Sequence, residues 1–165
     1  MARKQLSLRF YLLDVNHELI DGKPEVRLWG IDQSGERVLI CDRNFLPYFY
    51  LVLGERSSAD KVIAFVESRR ASLPKISHIE LLEGRYFGRP ARAVKVICSD
   101  PEVVGKYSEG LKSVEGVAMR LEDDIRPSTR YIIDYGLKPC GWHEVQAERI
   151  KSSPGLGVGK AYSVH

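Results

Sequence analysis

Residues 76–98, ISHIELLEGRYFGRPARAVKVIC, decide the fold. Ile76–Leu82 and Ala91–Cys98 carry strand-forming residues, and the chain between them, from Gly84 to Pro90, has turn chemistry, so the segment reads as a hairpin. A helix is predicted on either side. Ala59–Ala71 gathers Val62, Ile63, Phe65 and Val66 on one apolar face, and Pro101–Lys112 starts with Asp100 as N-cap and Pro101 at the first helical position. Outside the helices lie Tyr48–Leu53, a strand loaded with aromatics, and Val117–Leu121. The sum is β-α-β-β-α-β, the ferredoxin-like pattern that RNA-recognition modules also use. Such modules stack bases on aromatics of both central strands. Tyr48, Phe49 and Tyr50 suit one of them, but Ala91–Cys98 has no aromatic, so sequence-specific RNA binding is not expected.

Ahead of this module the chain reads as an antiparallel meander. Leu6–Val15 is a first strand, Asp21-Gly22-Lys23-Pro24 a turn, Glu25–Ile31 a second strand, and Ser34-Gly35 turns into a third, Arg37–Cys41. Behind it stands Asp123–Trp142, DDIRPSTRYIIDYGLKPCGW. Pro127 suits the start of a short helix, with Asp123 and Asp124 as charges at its N-terminal end. Ser128, Tyr131, Ile132 and Tyr135 recur on one face, Gly136 fits a left-handed cap, and Pro139 stops the helix resuming. Arg130 and Asp134 stand one turn apart on the opposite face, cation first, which is the unfavourable order for the helix dipole. The helix itself gains little from that order, so the pair points to a tertiary or ligand role.

Trp142–Ile150 then alternates as a strand, Ser152-Ser153-Pro154-Gly155 turns, and Val158–Val164 is its hairpin partner. Gly155-Leu156-Gly157-Val158-Gly159-Lys160 is glycine-rich, but it follows a turn and leads into strand residues, so it reads as part of the hairpin and not as a phosphate loop. The expected class is α+β: a β-rich meander over 1–47, a ferredoxin-like βαββαβ module over 48–122, and a helix with a terminal hairpin over 123–165.

The composition is ordinary for a globular chain, with 44% hydrophobic and 28% charged residues over 165 positions. Cys41, Cys98 and Cys140 are widely spaced and odd in number, which argues against a disulfide framework and for a reducing, cytoplasmic setting. No stretch approaches the roughly 20 apolar residues of a membrane helix, so no membrane partner is expected. The net charge of +3 lies wholly in residues 126–165, with six basic and three acidic side chains, which permits a polyanionic partner. His17, His78, His143 and His165 show no metal-ligand spacing, and no metal site is expected.

Asp124-Ile125 followed by Arg130-Tyr131-Ile132-Ile133-Asp134-Tyr135-Gly136-Leu137-Lys138-Pro139 resembles the N-terminal domain of archaeal family-B DNA polymerases, just before their exonuclease domain. Cys140-Gly141-Trp142 looks like the version shared with crenarchaeal and eukaryotic members, and Asp21-Gly22-Lys23-Pro24 and Asp42-Arg43-Asn44-Phe45-Leu46-Pro47-Tyr48 fall at matching places. The resemblance implies a nucleoid-associated domain that binds single-stranded template DNA and captures deaminated bases, uracil and hypoxanthine, ahead of a polymerase active site. Its other partners would be the remaining polymerase domains. Uracil is told from thymine by a cavity with no room for the C5 methyl, and an unpaired template base is turned out cheaply.

Carried over residue by residue, the resemblance implies a pocket of His17, Pro47, Val104, Ile125, Pro127, Arg130 and Asp134. Pro47 and Val104 would be walls, the Ile125 amide would meet the base, and Arg130 with Asp134 would brace the shape. The family usually has Tyr where His17 stands and an aromatic where Pro127 stands. A second candidate contact is the hairpin Gly84–Arg92, where Arg85, Arg89 and Arg92 interleave with Tyr86 and Phe87, a pattern suited to phosphate contact and base stacking.

Two-metal nucleotidyl transfer and excision need clustered carboxylates. Neither the exonuclease Asp-x-Glu nor the palm Asp-x-Asp signature is recognised, so the chain alone is expected to be non-catalytic and to need no cofactor, the Mg belonging to the parent polymerase. Two other readings stay open: a scaffold domain without base sensing, and a free-standing single-strand-binding module.

Overall fold

A two-residue hairpin turn of the kind that matches strand twist needs two consecutive left-handed residues, and Asp21 (φ 52) and Gly22 (φ 73) supply them. The computed structural model describes residues 5–151 and 157–164. In chain order these form β1 (Gln5–Ile20), β2 (Lys23–Asp32), β3 (Arg37–Asp42), β4 (Tyr48–Leu53), α1 (Ala59–Ser68), β5 (Ile76–Tyr86), β6 (Arg89–Cys98), a 3₁₀ turn (Pro101–Val103), α2 (Val104–Leu111), β7 (Val117–Leu121), α3 (Pro127–Asp134), β8 (Trp142–Ile150) and β9 (Lys160–Val164). The chain divides into two compact units, Met1–Phe45 with Arg126–His165, and Leu46–Ile125.

The first unit is a closed barrel, β1-β2-β3-β9-β8. All pairs are antiparallel except β3 with β9, which run parallel from Val38 opposite Lys160 to Asp42 opposite Val164. Closure removes the sheet edges that an open meander would expose. The sequence separates the N-terminal meander from the terminal hairpin; the structure joins them in this one barrel. Its interior takes Phe10, Leu12, Val26, Leu28, Val38, Ile40, Ala147 and Tyr162, with Phe45 and Tyr131 packed in. Each fully buried large apolar side chain of this kind contributes about 1.5–3 kcal/mol. Gly30 is required where β2 crosses β1, because a Cβ there would meet the Tyr11 carbonyl oxygen at 2.5 Å.

β1 continues past the predicted Val15 to Ile20, with a register shift between Leu12 and Asp14. At that irregularity the loop after α3 is stitched on: the Leu12 N–H donates to the Gly141 carbonyl, and the Cys140 N–H donates to the Leu12 carbonyl, both at 2.9 Å. The predicted turn Ser152-Ser153-Pro154-Gly155 lies outside the described residues, as do Gly155 and Leu156 of the glycine-rich run.

The second unit follows β-α-β-β-α-β, with an antiparallel sheet in the order β5-β6-β4-β7. Phe49, Leu51, Leu53, Val94, Val96 and Cys98 form the core with Val62 and Val66 of α1 and Val104, Tyr107 and Leu111 of α2. Two predicted helices are shorter than their patterns. α1 stops at Ser68, three residues early, and Phe65, assigned to its apolar face, stays 38% exposed. The Asp100 side chain caps a 3₁₀ turn and not the α-helix directly, accepting the Glu102 N–H at 2.9 Å. The central hairpin is longer than predicted and turns at Phe87 (φ 47) and Gly88 (φ 78).

Candidate nucleic-acid interface

α3 runs from Pro127 to Asp134 with Tyr135 as its C-cap, and the φ of 59 at Gly136, just beyond, lets the Leu137 N–H reach back to the Ile132 carbonyl at 2.9 Å. Its buried residues are Pro127, Arg130 and Tyr131. The expected division of faces is therefore corrected: Arg130 shares the inward face with Tyr131, while Ile133 and Tyr135 are exposed. Arg130 is 7% exposed, and its guanidinium lies 3.6 Å from the Asp134 carboxylate, whose side chain is 28% exposed. Surface i,i+4 pairs contribute little. A buried guanidinium is costly unless its charge is met, so this pair is part of the packing.

Tyr131 fixes the same face from the other side. Its hydroxyl donates to the Asp42 carboxylate at 2.9 Å, and its ring meets Phe45 edge-on at 5.1 Å between centroids. Burial first, and then the Asp42 charge, push the Tyr131 hydroxyl far above its usual range, so it remains a donor. The predicted helix-end role of Asp123 and Asp124 is not what is found: the N-cap of α3 is Arg126 without a side-chain cap, its first turn carries no acid, and Asp123 pairs with Arg120 at 2.9 Å.

His17 lies inside β1, paired with Val26, and is half-buried. Burial, and then the positive charge of Arg126, lower its pKa, so the ring is held neutral. The structure thus brings His17 and the start of α3 within electrostatic reach of each other. Sequence reasoning missed Arg126 because an arginine before a helix-start proline carries no pattern of its own.

Pro47, Val104 and Ile125 belong to the second unit. Pro47 is buried, and its carbonyl accepts the Cys98 N–H at 2.8 Å; Val104 is a core residue beside Tyr107 and Leu111; Ile125 is half-buried. Of the hairpin arginines, Arg85 and Arg89 are exposed, while Arg92 donates to the Ser57 carbonyl at 2.8 Å. Phe87 at the tip is 89% exposed, with Tyr86 edge-on to it at 4.6 Å.

A second charged cluster, not anticipated from the sequence, sits on the outward side of β2. Glu25 is 2% exposed and receives Arg27 at 2.8 Å and Arg43 at 2.5 Å, and Arg27 also reaches Glu18 at 2.7 Å. Burial raises the Glu25 pKa, but the two arginines outweigh it and hold the carboxyl ionised below its usual range. Beside it, burial pushes the Cys41 thiol up to about 12, which leaves it unreactive.

Among the described residues no group of three His, Cys, Asp or Glu side chains gathers as a metal site, and no helix is long and apolar enough to cross a membrane. One Asp-x-Glu string does stand in the chain, Asp100-Pro101-Glu102, and its aspartate is occupied as the cap of the 3₁₀ turn.

No protein-family model matches the chain. It is similar to DNA polymerase 2 of Aeropyrum pernix, 34% identical over 159 residues that cover 95% of this chain and 20% of that protein. It is also similar to DNA polymerase 3 of Saccharolobus shibatae, 29% identical over 153 residues that cover 93% of this chain and 19% of that protein. Among solved structures it superposes on the family B DNA polymerase of the archaeon Pyrobaculum calidifontis with a TM-score of 0.84 and 35% identity, over 96% of this chain and 20% of that one. The chain thus spans about one fifth of the length of the relatives it matches. It belongs to the archaeal family-B DNA polymerases, as the counterpart of their N-terminal region.

Proposed function

We propose that this chain is the non-catalytic template-binding domain of a DNA-directed DNA polymerase, and that it senses uracil, and hypoxanthine, in the single strand ahead of the active site. Polymerisation and its Mg belong, on this reading, to the remaining domains of the longer protein. The observation that carries the base-sensing part is Arg130, a cation buried on a two-turn helix and braced by Asp134 one turn on. A buried charge that keeps its partner helps fix the local shape of α3, and His17 of β1 feels the charge of Arg126, the residue before Pro127 at the start of that helix.

Two fold-level analogies support single-strand binding. The barrel order 1-2-3-5-4, with its single parallel pair, is that of oligonucleotide-binding barrels, and the second unit has the ferredoxin-like order. In such barrels the outward face of strands 2 and 3 takes the ligand. Here the outward residues Glu25, Arg27, Leu39 and Cys41 are all buried, which favours a strand bound elsewhere.

The test is a fluorescence-anisotropy titration of the 165-residue chain with labelled single strands differing only in one uracil or thymine. Tighter binding of the uracil strand is expected, and its loss in Arg130→Ala. Equal affinity for both strands rejects base sensing and leaves the scaffold reading.

A further inference from the structure

The helix side of the second unit holds a cavity of about 750 Å³ that no part of the reading above uses. It lies between the loop entering α1, α1 itself, and the turn after α2, and is lined by Arg56, Lys61, Phe65 and Arg69 on one side and Val114, Glu115 and Gly116 on the other. Lys61, Phe65 and Arg69 follow at intervals of four, so they form one stripe along α1 and its C-cap. Among the described residues none of the three cations has a carboxylate within ion-pair distance, and Glu115 is the one acid in the lining. In the same unit Arg70 pairs with Glu67, Lys112 with Glu109, and Arg120 with Glu109 and Asp123. Three cations left together in a concave site are the footprint of an anionic ligand.

The aromatic narrows the ligand class. Phe65 is exposed between the two cations of the stripe, and the Arg69 guanidinium lies over its ring at 5.1 Å. A planar cation on an aromatic ring offers a flat surface on which a base can stack, while Arg56 and Lys61 are free for phosphates.

The wall is also built to hold its shape. The Gly54 N–H donates to the Gly116 carbonyl at 3.0 Å, and the Ser57 N–H donates to the Gly54 carbonyl at 3.0 Å. Gly116 has φ 94, a conformation that side chains rarely adopt, and a Cβ there would press on Ser57 and Val62 at 3.2 Å. Across this loop lies a second cavity, of about 700 Å³, lined by Arg89 and Arg92 with Glu55 and Glu83 opposite. Arg92 ties the two together through its bond to Ser57.

We propose that the Arg56–Lys61–Phe65–Arg69 cavity is a second, base-indifferent binding site for the sugar–phosphate of single-stranded nucleic acid, with one base stacked on the Phe65–Arg69 pair. The site rests on the reading of this chain as a single-strand binder but is distinct from the proposed base-sensing residues.

The experiment measures anisotropy of a labelled oligothymidine with the full chain over a salt series. Arg56→Glu, Lys61→Glu and Arg69→Glu together should weaken binding by at least about tenfold and lower the slope of log affinity against log salt by about two. Phe65→Ala should weaken it about tenfold with the slope kept. A control reversing three exposed cations of the other unit, Lys23→Glu, Arg37→Glu and Lys151→Glu, carries the same net charge and should keep most of the affinity. Equal losses in both triple variants, or an unchanged affinity in the first with its melting temperature retained, overturn the proposal. The readout is affinity for a strand without uracil, so a failure of base discrimination leaves it standing. Conversely, a uracil preference that persists in the first triple variant separates the two sites.

Discussion

The two units hold themselves together by different means. Among the described residues five charged ones are buried in the barrel unit, Glu25, Arg27, Asp32, Asp42 and Arg130, whereas the one buried polar residue of the sheet unit is Ser108. The sheet unit is a conventional apolar sandwich of one sheet and two helices. The barrel adds to its apolar interior a set of buried ions that each have a partner: Glu25 with Arg27 and Arg43, Asp32 with Lys160, Asp42 with Tyr131, Arg130 with Asp134. Such pairs add little net stability over apolar packing, but breaking one is expensive. The barrel therefore has a shape that tolerates few substitutions at its charged positions, and the sheet unit one that tolerates few at its apolar positions.

The largest effect expected from this difference is Glu25→Ala, which takes from Arg27 its buried carboxylate partner and leaves it only the half-exposed Glu18. It should lower stability by about 3–5 kcal/mol in urea unfolding, and a loss below about 1 kcal/mol would show that the cluster is solvated and the contrast false. Tyr131→Phe removes one hydrogen bond to an ionised carboxylate and should cost about 1.5–3 kcal/mol.

His17 sharpens the comparison through pH. Its folded pKa lies below its unfolded value, so the folded chain holds fewer protons in the interval between them. Stability should be flat above about pH 6.5 and fall as the pH drops through that interval. His17→Gln should flatten the curve over that range in a series of thermal melts. The smallest effect belongs to the sheet unit. The Ser108 hydroxyl is buried with no hydrogen-bond partner among the described residues, so Ser108→Ala should be neutral or stabilise by up to about 1 kcal/mol.

What could be read from the sequence follows the range of the interactions. The βαββαβ order was legible because each element is announced locally, by the Asp100-Pro101 start, by Gly84 and Gly88 in the hairpin, and by the apolar period of α1. Barrel closure was not, because its parallel β3–β9 pair joins residues 38–42 to 160–164, and no local pattern encodes a register across that distance. The α3 cap at Gly136 was legible, but the burial of Arg130 was not, since an i,i+4 ion pair looks the same in sequence whether wet or packed. Glu25 and Arg27 alternate with Val26 and Leu28 as a solvated strand face would, so their burial left no trace in the pattern. The Lys61-Phe65-Arg69 stripe did leave one, a four-residue spacing, of which only Phe65 enters the sequence reading, as part of the apolar face of α1.

The parallel pairing of β3 with β9 also bears on how the molecule is made. During synthesis on the ribosome, the inserted unit of residues 46–125 is contiguous and can collapse as soon as it has emerged. β1–β3 must wait, unclosed, for a strand translated more than a hundred residues later, and until then they present the bare backbone that chaperones and neighbouring nascent chains recognise.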